Sequence, residues 1–161
     1  MNNNTISNYN GKLVELPKKG KAIVFTDIHG INLDDYDGYM DIWGEYRNEN
    51  TYFIIKGDFI YAMGKKDDKY IEILDSVKQC WEDNENFYPL IGNHEWSTIS
   101  NISAYNGSIN QFLNFKELLR ERFGSRWNRK LDEYQEFFKK LPQLLEQLIK
   151  SLLVMRGLQE N

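Results

Sequence analysis

The chain has 161 residues, of which 41% are hydrophobic, 27% charged and 14% aromatic, with a formal net charge of −4. Those values fit one globular domain with a substantial core and exclude wholesale disorder, a collagen-like repeat and a bundle of membrane spans. The acidic balance argues against a nucleic-acid scaffold role, and the single Cys80 excludes an intramolecular disulfide or a cysteine-only metal knuckle.

Residues 1–20 read as a polar, Asn-rich lead-in closed by the turn signal Pro17-Lys18-Lys19-Gly20. With no apolar stretch at its start, the chain is expected to carry no secretory leader and to be cytoplasmic. Lys21 to Thr26 is a continuous apolar run with β-branched residues and predicts a buried strand. Tyr36, Tyr39, Met40 and Trp43 fall at helical spacing over 34–47, with Asp34, Asp35 and Asp37 expected to cap that helix. Thr51 to Ile55 predicts a second buried strand. Tyr70, Ile73, Leu74, Val77 and Trp81 share one face of a helix over 68–82, on which Cys80 is expected as a small buried side chain. Phe87 to Ile91 predicts a third strand. The alternation of three strands and two helices is that of a parallel α/β sheet.

Beyond Ser97 the pattern changes. Residues 98–110 read as polar loop, 111–123 and 131–141 as helices, and Leu144, Leu145, Leu148, Ile149, Leu152 and Leu153 form a helical stripe over 143–155. That stretch is too short and too charged for a membrane span. Trp96 and Trp127 are expected to pack rather than to meet a substrate. The basic residues between Lys116 and Lys130 alternate with Glu117 and Glu121 and read as a solvated face with opposite-charge pairs.

Chemistry gathers past the C-terminal ends of strands in open α/β sheets, and all three predicted strand ends carry metal-ligand types. They are Asp27-Ile28-His29-Gly30, Gly57-Asp58 and Gly92-Asn93-His94-Glu95. Residues two apart on an extended segment point the same way, so Asp27 and His29 can reach one ion. Asp58 offers two oxygens able to bridge two ions, and Asn93 adds a neutral amide oxygen. Mixed imidazole, carboxylate and amide ligation suits manganese, iron or zinc rather than calcium. Two such cations are a common device for in-line attack on a phosphate ester, and His94 is placed to donate a proton to the leaving oxygen.

These three motifs, in this order, resemble the first three signatures of the calcineurin-like metallophosphoesterases. The Gly-Asn-His-Glu form is similar to the branch containing the serine/threonine phosphoprotein phosphatases, and Leu141-Pro142 matches a dipeptide of that branch. The resemblance covers residues 21–142. It implies a β-sheet flanked by helices, with the second sheet of that fold largely missing here and a helical C-terminus. It also implies two divalent ions held by Asp27, His29, Asp58 and Asn93, with His94 as general acid and a phosphorylated substrate.

The sequence departs from that pattern twice. Tyr61 stands where the branch has an Asp orienting the catalytic histidine, and Ala62 where it has an Arg gripping the phosphate. Lys56, Lys65 and Lys66 nearby read as solvated loop lysines. The chain also has only two histidines, His29 and His94, so the second ion would keep only Asp58 and Asn93. Activity is therefore expected to be impaired, and a non-catalytic phosphate-binding or interaction protein of the same fold is the alternative. Residues 143–161 read either as an amphipathic helical tail, able to mediate oligomerisation, or as out-of-frame translation. One permitted back-translation of Leu152 to Leu158, read from its third base, encodes Ile-Ser-His-Ala-Gly-Pro.

Overall fold

A computed structural model describes residues 13–14, 16, 19–26, 28, 33–48, 50–61, 69–142 and 144–145. Strand β1 is Leu13–Val14 and β2 is Lys21–Phe25, followed by helix α1, Leu33–Tyr46. Strand β3 is Thr51–Lys56, helix α2 is Tyr70–Asp83 and strand β4 is Phe87–Leu90. Helix α3, Asn93–Ile99, leads to a small hairpin of β5, Tyr105–Asn106, and β6, Ile109–Asn110. Helices α4, Gln111–Phe123, and α5, Trp127–Lys140, follow, and β7, Leu144–Leu145, ends the described chain.

The central sheet has the order β2-β3-β4 and is parallel throughout. Its register aligns Phe25 with Ile55 and Lys56 with Leu90, so the strands end at nearly the same level. Because side chains alternate along a strand, β3 feeds two cores. Phe53 and Ile55 join the larger cluster with α1, α2, α4 and α5, and Ile54 joins Leu16, Tyr88 and Leu90 on the opposite face. The larger core is aromatic near the sheet. Phe53 stacks on Phe87 at 5.3 Å, and Trp43 from α1 meets both at 5.2 and 5.5 Å. Deeper in, Phe115 and Leu119 from α4 and Tyr134 and Phe138 from α5 are fully buried, and the Tyr134 hydroxyl donates to Asp75 of α2 at 2.8 Å.

Several expectations are corrected. The run at 21–26 is not a buried strand: β2 is the edge of its sheet among the described residues, Ala22 is exposed and Val24 is 39% exposed. Residues 98–110 are not loop throughout. They hold the end of α3 and the hairpin, whose turn uses Gly107 at φ +59°. Leu144–Leu145, expected in a helical tail, are instead a strand paired in parallel with Leu13–Val14. The rest of 146–161 lies outside the described residues, as do the side chains of Asp34 and Asp35. Cys80 sits on α2 as expected but is half-buried. Trp127 packs on the core beneath Arg120, 4.1 Å from its ring, whereas Trp96 is 50% exposed. Among the described residues no helix is long and apolar enough to cross a membrane.

The basic stretch pairs across helices as well as within one. Arg122 of α4 binds Glu72 of α2 at 2.9 Å, and Lys130 meets both Asp75 and Glu133 at 3.3 Å. Both partners of the Arg122–Glu72 pair are well exposed, 44% and 36%. Arg122→Ala is therefore expected to lower stability by less than about 1 kcal/mol in urea unfolding.

Candidate functional site

The ends of β3 and β4 meet through two glycines. Gly57 turns left-handed (φ +49°), and a Cβ there would lie 2.4 Å from the Gly92 nitrogen. A Cβ on Gly92 would lie 2.2 Å from Asp58 Oδ1 and 2.5 Å from the Asp58 nitrogen. Only a hydrogen fits at either contact, so the Asp58 carboxylate rests directly on the Gly92 backbone. Gly92→Ala is expected to cost about 1–3 kcal/mol by overpacking, read by urea unfolding. An unchanged midpoint would mean that the Asp58 backbone and side chain both move aside freely.

Asp58 is itself left-handed at φ +56°, as is Tyr61 at φ +71°. Non-glycine residues hold that conformation at a cost that their surroundings must offset, and at Asp58 Glu95 does so. Its side chain is fully buried. Its Oε2 accepts from the Asp58 and Gly92 nitrogens at 2.8 and 2.9 Å, and its Oε1 accepts from the Phe59 nitrogen at 2.8 Å. One carboxylate on α3 thus ties both strand ends together. Burial first, and then the charge of Asp58, pushes the Glu95 carboxyl up to about 7, against the three N–H groups that favour its ionised form. Sequence reading placed Glu95 in a motif but gave it no role. Its spacing three residues after Gly92 at a helix start is the available signal, since a Glu at that position reaches back to the cap N–H.

Asp58 Oδ1 accepts from the His94 backbone nitrogen at 3.2 Å. The Asn93 side-chain amide lies 3.3 Å from both Asp58 oxygens and 3.3 Å from His94 Nε2. With its nitrogen toward Asp58 it donates to both carboxylate oxygens. Turned over, it sets three oxygens together, which repel one another unless a cation lies among them. The donor chemistry of Asp58 and Asn93 therefore fits a hard or borderline divalent ion. The structure brings together Asp58, Asn93 and His94 from the sequence-derived set. Asp27 and His29 lie outside the described residues, as do Ala62, Lys65 and Lys66, while Ile28 between the two ligand candidates is buried in the core. Among the described residues no group of three His, Cys, Asp or Glu side chains is placed to hold a metal.

His94 is buried, 8% exposed. Its Nδ1 lies 3.0 Å from the Ile60 carbonyl, and its ring lies 4.9 Å from that of Tyr61. Tyr61, expected only as the residue replacing an Asp, is 1% exposed, and its hydroxyl lies 2.7 Å from Thr98 Oγ1. Lys56 is exposed, in line with a solvated lysine.

The sequence profile of the calcineurin-like phosphoesterases matches residues 20–159. No curated protein matches the chain. A solved structure of a protein serine/threonine phosphatase from Saccharomyces cerevisiae, with similarity to human phosphatase PP5, aligns with 88% of this chain at 18% identity and a TM-score of 0.49. The chain spans 41% of the length of that protein. The profile runs from β2 through the clamped ends of β3 and β4 and on past α5, and on that match the chain belongs to the calcineurin-like phosphoesterase family.

Proposed function

We propose that this chain contributes a metal-dependent phosphoesterase site at the C-terminal ends of β2, β3 and β4. The observation that carries the reading is the convergence of Asp58 and Asn93, 3.3 Å apart, from two adjacent strand ends. On this reading Asp27, His29, Asp58 and Asn93 would hold the divalent ions, with Asp58 serving both. Manganese, iron or zinc would, when bound, activate water for in-line attack and offset charge on the phosphoryl oxygens. The protein's own contribution is positioning. Glu95 holds the Asp58 backbone at its angle, and Asp58 in turn accepts the His94 N–H, so donor oxygens and imidazole share one frame. His94 gives its Nε2 proton to the leaving oxygen as the P–O bond breaks. The substrate is a phosphorylated molecule, and the location is cytoplasmic.

A second reading, binding of phosphate without turnover, is favoured by one feature. With only two histidines in the chain, the second ion has few protein ligands, and an open site binds metal weakly. Metal analysis after manganese loading, with turnover of p-nitrophenyl phosphate, separates the two. Two ions per chain with Asp58-dependent turnover supports the hydrolase. Phosphate binding without turnover supports the second reading, and neither metal nor phosphate binding overturns both.

A further inference from the structure

Three of the four tryptophans belong to the core: Trp43 is buried in it, and Trp81 and Trp127 pack against it. Trp96 is the fourth and is 50% exposed. Single apolar side chains are common at protein surfaces, so exposure by itself assigns nothing. The place of this one does. Helix α3 buries His94, Glu95 and Thr98 on one side and leaves Asn93 and Trp96 exposed on the other. Residues three apart in a helix are surface neighbours, with about 5–6 Å between their Cβ atoms. A helical side chain also leans back over the turn before its own Cα, and for Trp96 that turn carries Asn93. The indole therefore flanks the Asp58 and Asn93 pair on its open side, while the buried His94 and Glu95 fill the closed side.

That placement bears on what the site accepts. A phosphoryl group held at Asp58 and Asn93 has its inner side taken by buried side chains, so the organic remainder of the ester is directed outward. The surface beside it there is the indole of Trp96. An indole is broad, flat and uncharged, and it rewards a partner of the same shape. A planar ring laid on it sheds water and stacks, whereas a glycerol or other short alkyl group gains little.

Resting on the reading of the strand ends as a phosphoesterase site, we propose that Trp96 is a specificity-determining residue: it selects phosphate esters that carry a planar ring, a phenolic ester or a nucleotide, by stacking that ring on its indole. The first test reads binding without turnover. The indole N–H signal of Trp96 is followed by NMR in the metal-free and the zinc-loaded full chain, and its loss in Trp96→Tyr identifies it. Phenylphosphonate, whose carbon–phosphorus bond is not hydrolysed, is expected to shift that signal upfield. Methylphosphonate is expected to leave it in place. An equal shift with both compounds, or with neither, overturns the proposal.

The second test reads selectivity in the manganese-loaded protein. Trp96→Leu is expected to raise KM about fivefold or more for phenyl phosphate, for adenosine monophosphate or for both, with kcat within about twofold, because stacking holds substrate and transition state alike. Glycerol phosphate, which has no ring, should change less than about twofold in both constants. Trp96→Tyr keeps a flat ring and should recover most of the loss. An effect confined to phenyl phosphate assigns phenolic esters, and one confined to adenosine monophosphate assigns nucleotides. Equal losses on all three esters, or none on either ring-bearing ester, overturn the role of Trp96. Where wild type turns over no ester, the hydrolase reading alone falls, and the indole shift still decides whether Trp96 receives a ring.

Discussion

Asp58→Asn is expected to raise the thermal midpoint of the metal-free protein while abolishing its response to manganese. Without a cation, Asp58 is a second negative charge beside the fully buried Glu95, and that charge helps push the Glu95 carboxyl up to about 7. An asparagine keeps the shape and the oxygen that accepts from the His94 nitrogen, gives up one of the two oxygens facing the Asn93 amide, and removes the larger charge repulsion. At the effective dielectric of protein sites such relief is worth about 1 kcal/mol, or roughly 2–4 °C for a domain of this size. Wild type should gain about 2.7 kcal/mol from manganese at a hundred times its dissociation constant. Residues that merely support a metal ligand are already worth 10–100-fold in affinity, so removing a carboxylate that itself would hold metal, as proposed for Asp58, should cost at least about a hundredfold. Turnover of p-nitrophenyl phosphate should fall about a thousandfold or more, since several kcal/mol of charge stabilisation goes with the ions. Calorimetry with and without manganese reads both arms. A variant that is less stable without metal, or that keeps the wild-type shift with it, would contradict the reading of Asp58 as a ligand held against Glu95.

Glu95→Ala is expected to lower the stability of the metal-free protein by about 3–5 kcal/mol. It strips the acceptor from the backbone nitrogens of Asp58, Phe59 and Gly92, and each buried donor left unpaired costs about 1–3 kcal/mol. Against the 5–15 kcal/mol typical of a domain, that is a large share. Glu95→Gln keeps the size but sets an amide hydrogen against a backbone N–H, and should cost about 2 kcal/mol. Urea unfolding followed by the fluorescence of the four tryptophans measures both. A loss below about 1 kcal/mol for the alanine variant would show that water replaces the carboxylate.

How far the sequence was legible differs by kind of interaction. Helices α1, α2, α4 and α5 and the strands at 51–56 and 87–90 followed from the sequence pattern, because their burial is set by the elements beside them in the chain, whereas α3 did not. The run at 21–25 looked the same but is half-exposed. A continuous apolar strand predicts burial only if something covers both faces, and that cover was not encoded locally. Asp58, Asn93 and His94 were legible as side-chain types at strand ends. Glu95 and the Ile60 carbonyl were not, because each joins a side chain to a backbone atom 34 to 37 residues away: Glu95 to the nitrogens of Asp58 and Phe59, and the Ile60 carbonyl to the His94 ring. Tyr61 was legible as a departure from a pattern. That its departure is matched by a left-handed turn and a threonine on α3 needed the folded chain.

The single carboxylate that receives three backbone N–H groups has a consequence for motion. These contacts cannot be released one at a time, because withdrawal of the Glu95 side chain frees all three together. The amides of Asp58, Phe59 and Gly92, distant in sequence, should therefore exchange with deuterated solvent as one cooperative unit, with a common opening free energy. Neighbouring amides of the β3 ladder, which depend on strand pairing instead, should follow their own rate.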